Sequence, residues 1–232
     1  MAILQQEQRK AVREVNQNSE CWYKDTCKDD CNTCAVFFQM KYQMTHSGLP
    51  EAKQKPIALY LTDDNSGDED AYYRLADIRK NIVEFVEQGK NLYICSSLSG
   101  NGKTSWAIKM LHTYFHYTAV GNYDNLKGMF VSVPKLLLQL KDFNNPLPKS
   151  YRENLEKVDL VIWDDIAVSG ISQYDYTQLF TLIDERILSE KSNIFTSNVV
   201  GEQALGKIFG NRLTSRIYYT SEIVELKGKD MR

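Results

Sequence analysis

The 232-residue sequence predicts an α/β fold: a mostly parallel, five-stranded sheet with helices on both faces, preceded by a small cysteine-bearing region. Three observations carry that prediction. Short apolar runs alternate with stretches of helical periodicity from about residue 70 onward. A glycine loop joins one such run to the helix after it. Four of the five cysteines fall between Cys21 and Cys34.

In chain order, residues 1 to about 20 are charged, lack glycine and proline, and read as helical. The cysteines follow. "HSGLPEAKQKPIALYLTDDNSGDED" then brings two prolines, two glycines and an acidic run, which predicts a connector with one short strand at "IALYL". The boundary is placed near residue 68, giving an N-terminal unit and linker over 1–68 and a larger domain over 69–232. Leu75, Ile78, Ile82 and Phe85 fall at helical spacing, with Gly89 as the stop. "NLYICS" is a buried strand, and a helix runs from Lys103 towards Tyr117. "GMFVSV" is a second strand, and Pro134 suits the first turn of the next helix. "FNNPLPK" reads as a loop and "VDLVIW" as the third strand, closed by Asp164 and Asp165. A helix from about Ser172 to Leu188, the strand "NIFTSN", a helical region over 201–218 and the strand "EIVEL" complete the pattern.

Hydrophobic residues make up 43% and charged residues 25%, ordinary for a water-soluble globular chain, and no apolar run approaches the length of a membrane span. The polar N-terminus lacks the apolar core of a signal peptide, so a cytoplasmic protein without a membrane partner is expected. The net charge of −2 argues against binding nucleic acid through a global field. The first 70 residues carry 8 basic and 12 acidic residues, leaving the remainder net +2, so any DNA contact needs a local patch.

The loop Ser97-Leu98-Ser99-Gly100-Asn101-Gly102-Lys103-Thr104 matches the phosphate-binding pattern G-x-x-x-x-G-K-[ST] except that Ser97 replaces the first glycine. Gly100 and Gly102 let backbone N–H groups converge on a phosphate, with Asn101 between them, and the following helix points its positive end at the same place. Lys103 can reach the β and γ oxygens. The Thr104 hydroxyl can ligate Mg²⁺, with Ser105 beside it in the helix's first turn. An acid at the end of a neighbouring strand should complete the site. Asp164 would hold the Mg²⁺ and Asp165 would polarise the attacking water, a role more often filled by glutamate. Asn198, closing "TSN", is the candidate for orienting that water. ATP and Mg²⁺ are therefore the expected nucleotide and ion.

Arg212 and Arg216 lie four apart on one helix face, and Arg232 ends the chain. An arginine so held can stabilise the charge of a phosphoryl-transfer transition state in a neighbouring subunit, which requires head-to-tail self-assembly. Across residues 70–232, "NLYICSSLSGNGKTSWA", "VDLVIWDDIA", "NIFTSN", "FGNRLTSRI" and "VELKGKDMR" occur in the order found in DnaC/DnaI-type replicative helicase loaders, which are AAA+ ATPases. The resemblance implies an AAA+ P-loop ATPase without a C-terminal helical lid. It implies that Arg216 is the arginine finger, Arg212 an accompanying position, and Arg232 a sensor of nucleotide within the same subunit. Ser97, and Asp165 in place of glutamate, depart from the general ATPase pattern; the second is common in this family.

The cysteines have the spacing C-x5-C-x3-C-x2-C. Thiolates at Cys21, Cys27, Cys31 and Cys34 suit tetrahedral Zn²⁺, with His46 as a substitute ligand and an iron–sulfur cluster as the chemical rival. A small unit with few large apolar groups needs such a staple. The DnaI-like branch resembles this arrangement in having a zinc-bearing N-terminal domain that binds the helicase.

The expected function is ATP-dependent loading of a hexameric replicative helicase onto single-stranded DNA. Lys141, Phe143 and Lys149 are candidates for the DNA contact, because single strands are bound by cations and aromatic faces together. The rival readings are an IstB-like transposition ATPase, which shares the ATPase motifs, a small-molecule P-loop kinase, and an inactive nucleotide-sensing adaptor.

Overall fold

The structure, a computed structural model, describes residues 21, 34–55, 57–59, 61, 67–119, 125–142 and 146–228. Five parallel strands form one sheet: β1 (Asn91–Cys95), β2 (Gly128–Ser132), β3 (Leu160–Asp164), β4 (Ser192–Ser197) and β5 (Ser221–Glu225). Their spatial order is β2-β3-β4-β1-β5. Cys95 pairs with Ser197 and Glu225, and Ser132 with Asp164, so the C-terminal strand ends share one edge. That edge is where ligands bind in open parallel sheets.

Eight α-helices pack around the sheet among the described residues: α1 (Ala35–His46), α2 (Glu69–Lys80), α3 (Ile82–Glu87), α4 (Lys103–Thr118), α5 (Val133–Leu140), α6 (Lys149–Lys157), α7 (Gln173–Leu188) and α8 (Glu202–Tyr218). Side chains on a strand alternate between faces, and the two cores divide on that rule. Leu92, Ile94, Leu160, Ile162 and Ile194 pack with α1 to α4. Tyr93, Cys95, Val161, Trp163 and Phe195 pack with α5 to α8. The central strands are buried on both sides, which is why they read as continuous apolar runs rather than as alternation.

Several local outcomes differ from the sequence expectation. The helix expected through Leu75 and Phe85 breaks at Asn81 into α2 and α3. Residues 57–59 belong to no strand. Helix α6 was not anticipated; it lacks a broad apolar face and buries only Leu155. Helix α8 kinks at Gly210, where φ is 68° and ψ 176°. Helix α1, ahead of the expected boundary near residue 68, buries Met40 and Met44 in the same core as Leu75 and Leu111. Gly89 ends α3 as expected. Its φ is +62°, and a β-carbon there would meet Glu190 O at 2.5 Å. No described helix is long and apolar enough to cross a membrane.

Candidate functional site: the phosphate loop and its acids

The loop leaves β1 and enters α4 at the C-terminal sheet edge. Gly100 and Gly102 take φ of +77° and +96°, the left-handed conformation that only glycine adopts freely. The only described non-glycine residues with positive φ are Asp165 and Glu190. Ser97 therefore turns out of the strand with ordinary backbone geometry, which explains why this position tolerates the loss of glycine.

Lys103 is buried, and its Nζ donates to Leu98 O at 2.7 Å and Asn101 Oδ1 at 3.1 Å. Thr104, in the first turn of α4, donates its hydroxyl to Asp164 Oδ1 at 2.7 Å. Thr196, on β4, donates to the same oxygen at 2.8 Å. Its hydroxyl also accepts from Asp165 N at 3.0 Å. This placement follows from topology: β4 lies between β1, which carries the loop, and β3, which carries the acids. A hydroxyl and a carboxylate oxygen thus converge at the helix N-terminus, a donor set that fits a hard divalent cation such as Mg²⁺.

Burial pushes the Asp164 carboxyl above the ordinary carboxylate range, although Thr104, Thr196 and Lys103 pull the other way. Asp165 is exposed, with φ of 53°, and the bond from its N–H to Thr196 fixes that unusual backbone. Asn198 is exposed just beyond the end of β4. The side chain of Asn101 turns inward, with Nδ2 donating to Ser96 Oγ at 2.5 Å and Leu226 O at 3.2 Å. Ser105 is half-buried in α4. Cys95, beside the loop, is no reactive thiol, since burial pushes it up to about 12.

Arg212 and Arg216 contact α7 of their own chain. The Arg212 guanidinium sits 4.9 Å from the centre of the Phe180 ring, and Arg216 Nε is 2.5 Å from Asp184 Oδ1. Lys141 is paired with the buried Asp175 at 2.8 Å, and Lys149 is exposed beside Glu153 at 3.5 Å. The first of these proposed DNA contacts thus has a structural role, because Asp175 also closes the capping box of α7 with Ser172. Phe143, Arg232, Cys27 and Cys31 lie outside the described residues. Cys34, at the N-cap of α1, packs with the buried Cys21 around Phe37, so two of the four thiols expected to bind metal share one cluster. No group of three or more His, Cys, Asp or Glu suited to a metal ion occurs among the described residues.

Sequence reasoning missed Thr196, Asp184 and the inward role of Asn101. Thr196 left one signal: it is a polar residue inside a fully buried strand, two positions before Asn198.

A parallel sheet in this order, with a phosphate loop after β1 and an acid closing β3, defines a P-loop nucleotide-binding domain of the AAA+ type. The family model for the IstB-like ATP binding protein matches residues 43–232, so the chain belongs to that family. It is 27% identical over 148 residues to the replicative helicase loader DnaC of Buchnera aphidicola subsp. Baizongia pistaciae, covering 61% of this chain and 52% of the relative. The chain thus spans about half the length of the curated relatives it matches. Among solved structures it resembles the DnaC helicase loader, with a TM-score of 0.61 and 20% identity over 72% of this chain and 94% of that one. It also resembles DnaI, with a TM-score of 0.60 and 21% identity over 79% and 94%. AMPPCP-bound DnaA from Aquifex aeolicus is similar at a TM-score of 0.55 and 19% identity, over 72% and 48%. The resemblance to DnaC/DnaI-type loaders read from the motifs is borne out.

Proposed function

We propose that this protein is an ATP-dependent loader of a ring-shaped hexameric replicative helicase. The observation that carries the nucleotide half is the convergence of Thr104 and Thr196 on Asp164 Oδ1 behind a glycine loop. The similarity to DnaC supports the helicase half. In this reading the Gly100–Gly102 backbone and Lys103 bind the ATP phosphates, and Thr104 and Asp164 hold Mg²⁺. When bound there, Mg²⁺ would supply charge neutralisation between the phosphate oxygens. Asp165 and Asn198 orient the attacking water. Arg216, with Arg212 beside it, serves the nucleotide of a neighbouring subunit, and Arg232 senses nucleotide in its own. The 1–68 unit grips the helicase, with Cys21, Cys27, Cys31 and Cys34 on structural Zn²⁺. Single-stranded DNA is the second partner.

The test is co-purification with candidate hexameric helicases, with and without ATP. A nucleotide-dependent complex is expected; no complex in either condition would sink the loader reading. A second reading, a transposition ATPase, is favoured by the IstB-like family match. Its partner would be a transposase, so capture by a transposase and by no helicase would decide for it.

A further inference from the structure

The segment after β5 is held at three points. Leu226 N donates to Cys95 O at 2.8 Å, at the end of β1. Leu226 O accepts from Asn101 Nδ2 at 3.2 Å, inside the phosphate loop. Lys227 N and Gly228 N donate to the two carboxylate oxygens of Asp68, at 2.6 and 2.8 Å. Asp68 is 2% exposed and Asn101 equally buried, so these are desolvated contacts rather than surface ones. Asp68 also begins α2, its carbonyl accepting from Tyr72 N at 2.8 Å.

We propose that Asn101 and Asp68 are positioning residues of the nucleotide site, which act together by clamping Leu226–Gly228 against the phosphate loop. The proposal rests on the nucleotide reading of that loop. Asn101 is the link between the two. Its backbone lies between Gly100 and Gly102, where N–H groups must converge on a phosphate. A loop with two left-handed glycines has many competing conformations. The side chain of Asn101 selects one of them by reaching Ser96 Oγ, Leu226 O and Lys103 Nζ at once. Leu226 O can anchor the loop only while its own segment is fixed, and the Asp68 carboxylate, binding two successive amides, fixes it. Asp68 contacts backbone amides 159 and 160 positions away, so the start of α2 and the last described residues report to the loop through one short strap. The phosphate pattern leaves the position of Asn101 unspecified, and Asp68 lies outside every motif.

The test uses the full chain, a fluorescent ATP analogue with Mg²⁺, and thermal melting of each variant. Asp68→Ala removes no loop atom, yet nucleotide affinity is expected to fall about tenfold, the equivalent of one charge-assisted hydrogen bond. Asn101→Ala is expected to fall by a similar factor. The double variant should be no weaker than the worse single one, because both act through the same strap. Asp68→Asn keeps one acceptor oxygen and should lie between wild type and Asp68→Ala, which also covers an Asp68→Ala chain that does not fold. Affinities of the Asp68 variants within about twofold of wild type, with only the melting temperature lowered, would overturn the proposal and leave a structural contact. Additive losses would overturn it too. If the folded wild type binds no nucleotide, the loop assignment fails and the clamp with it. If wild type binds and Lys103→Ala does not, while the Asp68 variants are unaffected, the clamp alone fails.

Discussion

Lys103 shows how one residue gathers a site. Its ammonium is buried in the loop, where it bonds Leu98 O and Asn101 Oδ1, and a phosphate oxygen held there would give it a charge-assisted bond. Lys103→Ala should therefore cut ATP affinity by about a hundredfold, measured by titration with a fluorescent analogue. Thr196 makes the opposite kind of contribution. It touches Asp164 Oδ1 and Asp165 N, so it aligns the acids rather than the phosphates. Thr196→Val should slow hydrolysis about tenfold and leave affinity nearly unchanged, while Thr196→Ser keeps the hydroxyl and most of the rate. Equal loss in binding and turnover would refute that division. Lys103 was legible from the motif. Thr196 was not, because its role depends on β4 lying between β1 and β3.

At the scale of elements, Arg186 on α7 joins helices to sheet. It is 1% exposed and donates to Leu155 O, Val158 O, Ser192 O and Asn193 Oδ1. Burial pushes its guanidinium down to about 9, with Asp159 opposing the shift. Arg186→Leu removes a donor from each of these acceptors, leaving Asn193 Oδ1 with its bond from Trp163 Nε1, and should lower stability by about 3–5 kcal/mol in urea denaturation. Arg186→Lys should recover only part of it, since one ammonium cannot span the fork. Asp159 bonds Lys191 at 2.8 Å and Lys127 at 3.5 Å. Burial pulls its carboxyl up, but the two lysines prevail and hold it below the ordinary range. A depressed carboxylate stabilises the fold fully above its unfolded pKa, near ~4, and the benefit fades as pH falls through the lower folded value. Asp159→Asn should therefore destabilise the protein at neutral pH, and the difference from wild type should shrink below about pH 4. A gap that persists in acid would show that packing, not charge, is at stake.

At the scale of the whole molecule, the proposed role of the α8 arginines in a neighbouring subunit can be tested. Arg216 is paired with Asp184 and Arg212 rests on Phe180, so both contact α7 of their own subunit. If Arg216 serves a neighbour, Arg216→Ala should bind ATP normally and lose hydrolysis in the assembled state. Mixing it with Asp165→Asn should then restore activity, because each variant supplies the half that the other lacks. No recovery in the mixture would remove support for action in trans.

The sequence by itself determined the alternation of strands and helices, the phosphate loop, Asp164 and the resemblance across residues 70–232. These are local signals: apolar runs, glycine positions and a strand-end acid are set by neighbours in the chain. It could not show that Asn81 splits a helix, that Lys141 belongs to Asp175, or that α1 joins the main core. Tertiary structure alone decided these, together with the partners of Thr196, Asn101 and Asp68. The physical reason is common to all of them. A buried polar group must find its partner wherever the fold brings one, and the contact from Asp68 to Gly228 crosses 160 residues of sequence.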